Sequence, residues 1–168
     1  MKSFKNVVVI DYKDNLAFNF LGKVVLSKAV FKNLNTKERK ALFLHEKGHM
    51  ENKDSFKLVF ANFIFKLFPD FIKKYIKKSY ILFLETKADR YALNFIDAKF
   101  LANTLLKFKT LSSYSQPMMN NFTEERIKNL FEEENIKLPK VIHLIVLLIL
   151  ITLFIAIIYK TCFCGIMI

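Results

Sequence analysis

Residues 35–49 read NTKERKALFLHEKGH, and the fold is decided there. Asn35 followed three residues later by Glu38 is a helix-start signature. The amide side chain can accept from free N–H groups of the first turn, and the glutamate can reach back to the cap. Ala41, Leu42, Leu44, His45 and Gly48 then follow in helical register. Within this helix stands His45-Glu46-Lys47-Gly48-His49, the pattern H-E-x-x-H. Residues four apart share a helix face, so both imidazoles can reach one metal ion. Glu46 projects beside them, where it can take a proton from water activated by the metal. The chain has only 3 His. Shuffling its own composition yields this pattern in roughly one sequence in 500.

Before this helix, three short runs at 7–12, 16–20 and 23–26 are rich in apolar and β-branched residues. Asp14-Asn15 and Gly22 punctuate them as turns. They predict a small N-terminal sheet of two or three strands. After it, Pro69 must end or interrupt a helix. Residues 79–109 read as one long helical stretch, 111–121 as a loop around Pro117, and Thr123-Glu124-Glu125-Arg126 as the start of a helix reaching about residue 134. With Gly 3 and Pro 3 in 168 residues, long helices are expected over a sandwich or barrel. The expected fold class is mainly α, of the α+β type. Two Cys cannot staple it.

A net charge of +12 coexists with 53% hydrophobic residues. Disorder is excluded by that apolar content. The two properties separate along the chain. Residues 141–159, VIHLIVLLILITLFIAIIY, contain no Asp, Glu, Lys or Arg. That length suffices for a hydrocarbon core, which takes ~17–25 residues. The first 140 residues hold 26 basic and 15 acidic side chains, a net +11. The positive-inside rule places them in the cytoplasm. The expected organisation is a catalytic domain at 1–135 and a membrane anchor at 136–168, crossing once at about 141–159. Residues 56–84 hold seven of the 19 Phe, interleaved with Lys. Two readings stay open for them: an interfacial helix touching membrane lipid, or a core helix with a solvated Lys face. Nothing there matches a nucleic-acid recognition motif, and no specific nucleic acid is expected.

A hydrolytic zinc site needs a third protein ligand and an open position. No third His follows at the metzincin spacing, and His143 falls at the start of the apolar run. Glu85 is the better candidate. It and Asp89 are four apart in Glu85-Thr86-Lys87-Ala88-Asp89-Arg90-Tyr91-Ala92. Like charges on one helix face are mildly destabilising and call for a reason. Glu85 as ligand and Asp89 as the partner of a ligating His provide it.

H-E-x-x-H followed by E-x-x-x-D-R-Y-A resembles the integral-membrane gluzincin peptidases, the HtpX and CAAX-processing proteases and the peptidase domain of beta-lactam sensor-transducers. Residues 18–27, FNFLGKVVLS, are similar to the strand region those domains place before the zinc helix. Leu67-Phe68-Pro69-Asp70-Phe71 ahead of a basic helix resembles the sensor-transducer group. Asp54, five after His49, matches an acidic residue often found there and implies a supporting role at the metal. Asn121-Phe122-Thr123-Glu124-Glu125-Arg126-Ile127 resembles the terminal element, with Asn120-Asn121-Phe122 in place of the usual His-Pro-Pro. The resemblance covers about residues 7–135. It implies a zincin-like helical peptidase domain, Zn2+ held by His45, His49 and Glu85, and Glu46 as general base. It also implies hydrolysis of a protein or peptide substrate near or within the membrane. Multiple N-terminal membrane helices and an extracellular sensor domain belong to those relatives, and the expectation here is a minimal peptidase domain with one trailing anchor in their place.

The expected mechanism is metal-assisted hydrolysis, with Glu46 moving the proton to the leaving amine. The sheet edge is expected to hold an extended substrate. Asn120 and Asn121 are candidates for contacting the substrate or its oxyanion. Two alternatives differ in class: a soluble-type anti-repressor peptidase, and a non-catalytic membrane sensor or scaffold with a vestigial metal site. A regulatory partner protein belongs to these expectations.

Overall fold

The computed structural model describes residues 7–20, 22–111, 122–132 and 140–164, with side chains left out at 111, 140–145, 148–149 and 161–164. Three short strands come first: β1 (Val7–Ile10), β2 (Ala17–Phe20) and β3 (Lys23–Ser27). The sheet order is β1-β3-β2, with β1 parallel and β2 antiparallel to the central β3. Val24 pairs with Val7 on one side and Asn19 on the other. Gly22, between β2 and β3, has φ 75°, a left-handed conformation that costs glycine little. Ser27 locks the return. Its hydroxyl donates to the Asp14 carbonyl at 2.8 Å and accepts from the Leu16 N–H at 3.1 Å.

A short helix α1 (Lys28–Asn33) leads into α2 (Thr36–Glu51). The cap expected at Asn35 is present in both halves. Asn35 Oδ1 accepts from the Lys37 and Glu38 N–H groups, and Glu38 Oε2 accepts from the Asn35 N–H at 2.8 Å. Glu38 also accepts from Lys107 Nζ at 2.8 Å, which ties the start of α2 to α5 (Ala98–Leu111). The central helix α2 packs on the sheet, on α4 (Asp70–Leu93) and on α5. One apolar cluster joins Ala17, Val24, Leu26, Val30, Leu42 and Phe108 between sheet and helices. A second joins Ala41, Leu44, Ala92, Leu101, Leu105 and Leu130 between helices alone.

Lys53 turns the chain sharply after α2, at φ 55°. The helices α3 (Asp54–Phe65) and α4 (Asp70–Leu93) follow, separated at Pro69. The single stretch expected at 79–109 is in fact two helices. The first, α4, begins at Asp70, and α5 (Ala98–Leu111) follows a break at 94–97. Asp97 explains the break, because its carboxylate accepts the Lys99 N–H at 3.0 Å in competition with a continued helix. A short helix α6 (Thr123–Phe131) packs on α4 and α5. Thus the body is mainly helical with a three-stranded sheet. The chain divides at residue 136 into two compact units.

The second unit holds α7 (Lys140–Cys164). Val146, Leu147, Leu150, Ile151, Leu153 and Phe154 on it are all exposed. Among the described residues, no helix is long and apolar enough to cross a membrane. The side chains of residues 141–145 and 148–149 lie outside the description, so the span expected at 141–159 rests on the sequence.

The approach of α2 to α4 depends on Gly48. A Cβ there would lie 3.1 Å from the Cα and carbonyl oxygen of Ala88 and from Tyr91 Cβ. Backbone cannot yield cheaply, so the helices would have to part. Gly48→Ala should therefore cost about 1–3 kcal/mol despite its gain in helix propensity. Chemical denaturation checks this; a higher midpoint would contradict the contact.

Candidate metal centre

Helix periodicity puts His45 and His49 on the α2 face turned toward α4, and Glu85 and Asp89 on the α4 face that meets it. Their Nε2 atoms stand 3.2 Å apart. Glu85 closes the triangle, with Oε2 at 3.4 Å from His45 Nε2 and Oε1 at 3.6 Å from His49 Nε2. Ligands about 2.05 Å from a tetrahedral ion are separated by about 3.3 Å. These three side chains form the group of His, Cys, Asp and Glu found among the described residues able to hold a metal ion.

Each imidazole is oriented through its other nitrogen. Asp89 Oδ1 lies 2.8 Å from His45 Nδ1, and Asp54 Oδ2 lies 2.8 Å from His49 Nδ1. A proton held on each Nδ1 leaves Nε2 as the lone-pair donor, the tautomer that a metal requires. The Lys53 turn contributes here, because it carries the chain back so that Asp54, first residue of α3, meets His49.

Arg126 of α6 is the site residue whose importance the motif reading does not disclose. Its side chain is completely buried. Nε and Nη2 donate to the two Asp89 oxygens at 2.8 and 2.6 Å. Nη1 lies 2.9 Å from Glu85 Oε2. Glu85 Oε2 and Arg126 Nη1 nonetheless complete no hydrogen bond of good geometry. A buried carboxylate whose two oxygens each face one imidazole Nε2, with Oε2 short of a hydrogen bond, suits a cation. The donor set of two nitrogens and a carboxylate suits zinc. Arg90 donates to the carbonyls of Asn129 and Glu132, which holds α6 against α4. The available signal for Arg126 was charge: two buried carboxylates on one face of α4 need a cation, and α6 carries an arginine.

Electrostatics follow from these contacts. Burial alone would raise the Glu85 carboxyl, but Arg126 and the two imidazoles hold it well below the usual carboxylate range. Burial likewise opposes ionised Asp89, and Arg126 and His45 overcome it and lower its pKa. Burial would depress both imidazoles. Instead Asp89 and Glu85 raise His45, and Asp54 and Glu85 carry His49 up to about 10. Without a metal, His49 therefore holds a proton at neutral pH. A metal ion must displace it, so metal affinity falls as pH falls.

Glu46 is buried beside the ligands. It lines a cavity of about 170 Å³ together with His45, His49, Glu85, Ala17, Phe18 and Asn19 of β2, Ser55 and Leu58 of α3, and Ile81 and Leu84 of α4. Thus β2, α2, α3 and α4 line one open cavity containing the acid–base candidate and the three donor groups. The structure brings together six of the sequence candidates: His45, Glu46, His49, Asp54, Glu85 and Asp89. Asn120 and Asn121 lie outside the described residues, and so does the His143 side chain.

Two histidines and a glutamate donated by neighbouring helices, with a second glutamate beside them, define a metallopeptidase-type centre. Residues 1–134 match peptidase family M48, and the chain belongs to that family. Membership implies a metalloprotease acting on a protein or peptide substrate. No curated protein and no solved structure matches the chain.

Removing Arg126 should be severe, because Asp89 and Glu85 would stay buried without their cation. Arg126→Met is expected to cost about 3–5 kcal/mol. Adding Asp89→Asn should recover part of that loss. Denaturant midpoints of the two variants test the coupling, and an unchanged midpoint in Arg126→Met would refute it.

Proposed function

We propose that this protein is a zinc-dependent metalloendopeptidase, anchored by α7 and working at the cytoplasmic face of a membrane. The observation that carries the catalytic reading is the convergence of both Nε2 atoms and Glu85 in one cavity with Glu46. His45, His49 and Glu85 would hold the ion. When bound, zinc supplies Lewis acidity that polarises a scissile carbonyl and acidifies water. Glu46 accepts the proton of the attacking water on its carboxylate and delivers it to the leaving amine nitrogen. Asp89 and Asp54 keep the imidazoles in register, and Arg126 keeps Glu85 and Asp89 ionised.

Substrate positioning is assigned to β2. It is an edge strand, and Ala17, Phe18 and Asn19 line the cavity. An extended peptide adding to that edge would run across the site with its backbone hydrogen-bonded to the sheet. Leu58, Ile81 and Leu84 would then favour an apolar substrate side chain next to the scissile bond.

Support for the anchor comes from the uncharged run at 141–159 and the +11 that precedes it. Exposed apolar side chains along α7 agree with a lipid environment.

Purified protein should contain about one zinc per chain. Glu46→Gln should retain that metal and lose proteolysis, about 10²-fold or more. Metal analysis and peptide cleavage on the same samples decide the matter. A Glu46→Gln protein that cleaves like the parent defeats the assignment. Asn19→Pro, which interrupts the edge strand, should raise KM with kcat little changed. Unaltered kinetics would remove β2 from substrate binding.

A further inference from the structure

One feature of the body stands apart from its catalytic centre: α3 is apolar on both sides. Its inner face buries Ala61 and Phe65 and half-buries Leu58. The opposite face carries Phe56, Val59, Phe60 and Phe63, continued by Leu67, and these are 67–79% exposed. At about 100° per residue, the four on α3 fall on an arc roughly 100° wide, opposite the buried face. Phe71 and Tyr75, at the start of α4, are also exposed, at 76% and 61%. The solvated Lys face that an ordinary amphipathic helix would show is therefore not the centre of the exposed surface; phenylalanine is. Contiguous apolar patches of this kind mark interaction sites.

The surroundings choose the occupant. Lys57 and Lys66 flank the arc on either side by helix geometry, and Lys74 and Lys77 are exposed on α4. Residues 53–78 contain seven Lys and two Asp, a net +5. Centres of protein–protein interfaces are depleted in Lys. Aromatic and aliphatic side chains bordered by long cationic ones suit a bilayer surface. There the rings enter the acyl boundary and the ammonium groups reach anionic headgroups.

We propose that the outer face of α3 and the first turns of α4 form a second membrane contact, inserted at the interface of an anionic bilayer. This inference rests on the membrane location proposed above but not on zinc chemistry. It also has a geometric consequence. Ser55 and Leu58 on the same helix line the metal cavity, and Ser55 donates to Asn19 of β2 at 3.2 Å. A lipid-bound α3 therefore sets that cavity beside the bilayer surface, within reach of chain segments held close to it.

The chain has no Trp, so one introduced tryptophan reports alone. Full-length Phe60→Trp protein would be reconstituted in phosphatidylcholine–phosphatidylglycerol vesicles, with and without brominated acyl chains. Phe95→Trp is the control: Phe95 is exposed and lies ~35 Å along the chain direction of α4 from Phe71. The expected result is a blue-shifted emission at position 60 that bromine quenches, and a water-like, unquenched emission at position 95. Lys66→Glu, Lys74→Glu and Lys77→Glu together should reduce the quenching at position 60 while zinc content stays the same. Water-like emission at position 60 in protein that floats with the vesicles overturns the contact and leaves the anchor standing. Protein that does not float overturns both. Blue-shifted emission that bromine fails to quench means that protein covers the face, and also overturns the proposal.

Discussion

The centre depends on one close contact, the crossing of α2 over α4 at Gly48 and Ala88. Glycine lets the helix backbones meet, with Ala88 Cα 3.1 Å from where a Cβ would stand. His45 and His49 lie three residues before and one after that glycine. Glu85 and Asp89 lie three before and one after Ala88. The two motifs are thus brought into register by a single point of approach. Neither pattern alone specifies a metal site; their distance does. The sheet and α5 hold α2 from behind, through Leu42 and Leu105, so the crossing is fixed from both sides.

What was legible in the sequence was local or periodic. The Asn35–Glu38 cap, the face shared by two histidines and the face shared by two carboxylates each follow from spacings of three or four residues. The three short strands were legible for the same reason, since turn residues bound them. The strand order β1-β3-β2 was not, because nothing local distinguishes parallel from antiparallel pairing of such short runs. The break at 94–97 was hidden because apolar residues continue in register on both sides of it. Only the Asp97 side chain, capping the next helix, signals it.

Arg126 was illegible for a different reason. It belongs to a nine-residue helix whose first turn, Thr123-Glu124-Glu125-Arg126, reads as a solvated start. Its burial is a tertiary fact: 37 residues separate it from Asp89. Similarly, seven Phe among Lys could not reveal which residues faced inward. The structure answers by burying Phe65 and leaving Phe60 and Phe63 outside.

The charge arrangement also explains why such a site can be assembled at all. Four acidic side chains, Glu46, Asp54, Glu85 and Asp89, are buried within or beside it. Desolvating them separately would be prohibitive, because each buried ion costs several kcal/mol unless it is paired. Arg126 offsets part of this with a permanent charge shared between Asp89 and Glu85. His49, carried up to about 10 by Asp54 and Glu85, offsets more of it in the metal-free protein by staying protonated, and Asp89 and Glu85 raise His45 in the same direction. A divalent ion displaces protons from Nε2, on the Glu85 side, and leaves the Nδ1 protons on Asp54 and Asp89 and the carboxylates where they are. The same contacts therefore serve folding before metal binds and ligand orientation afterwards. For this reason the arginine is placed at the ligand-bearing helix, not at the cavity mouth: it compensates the carboxylates without occupying the space beside Glu46 that a substrate needs.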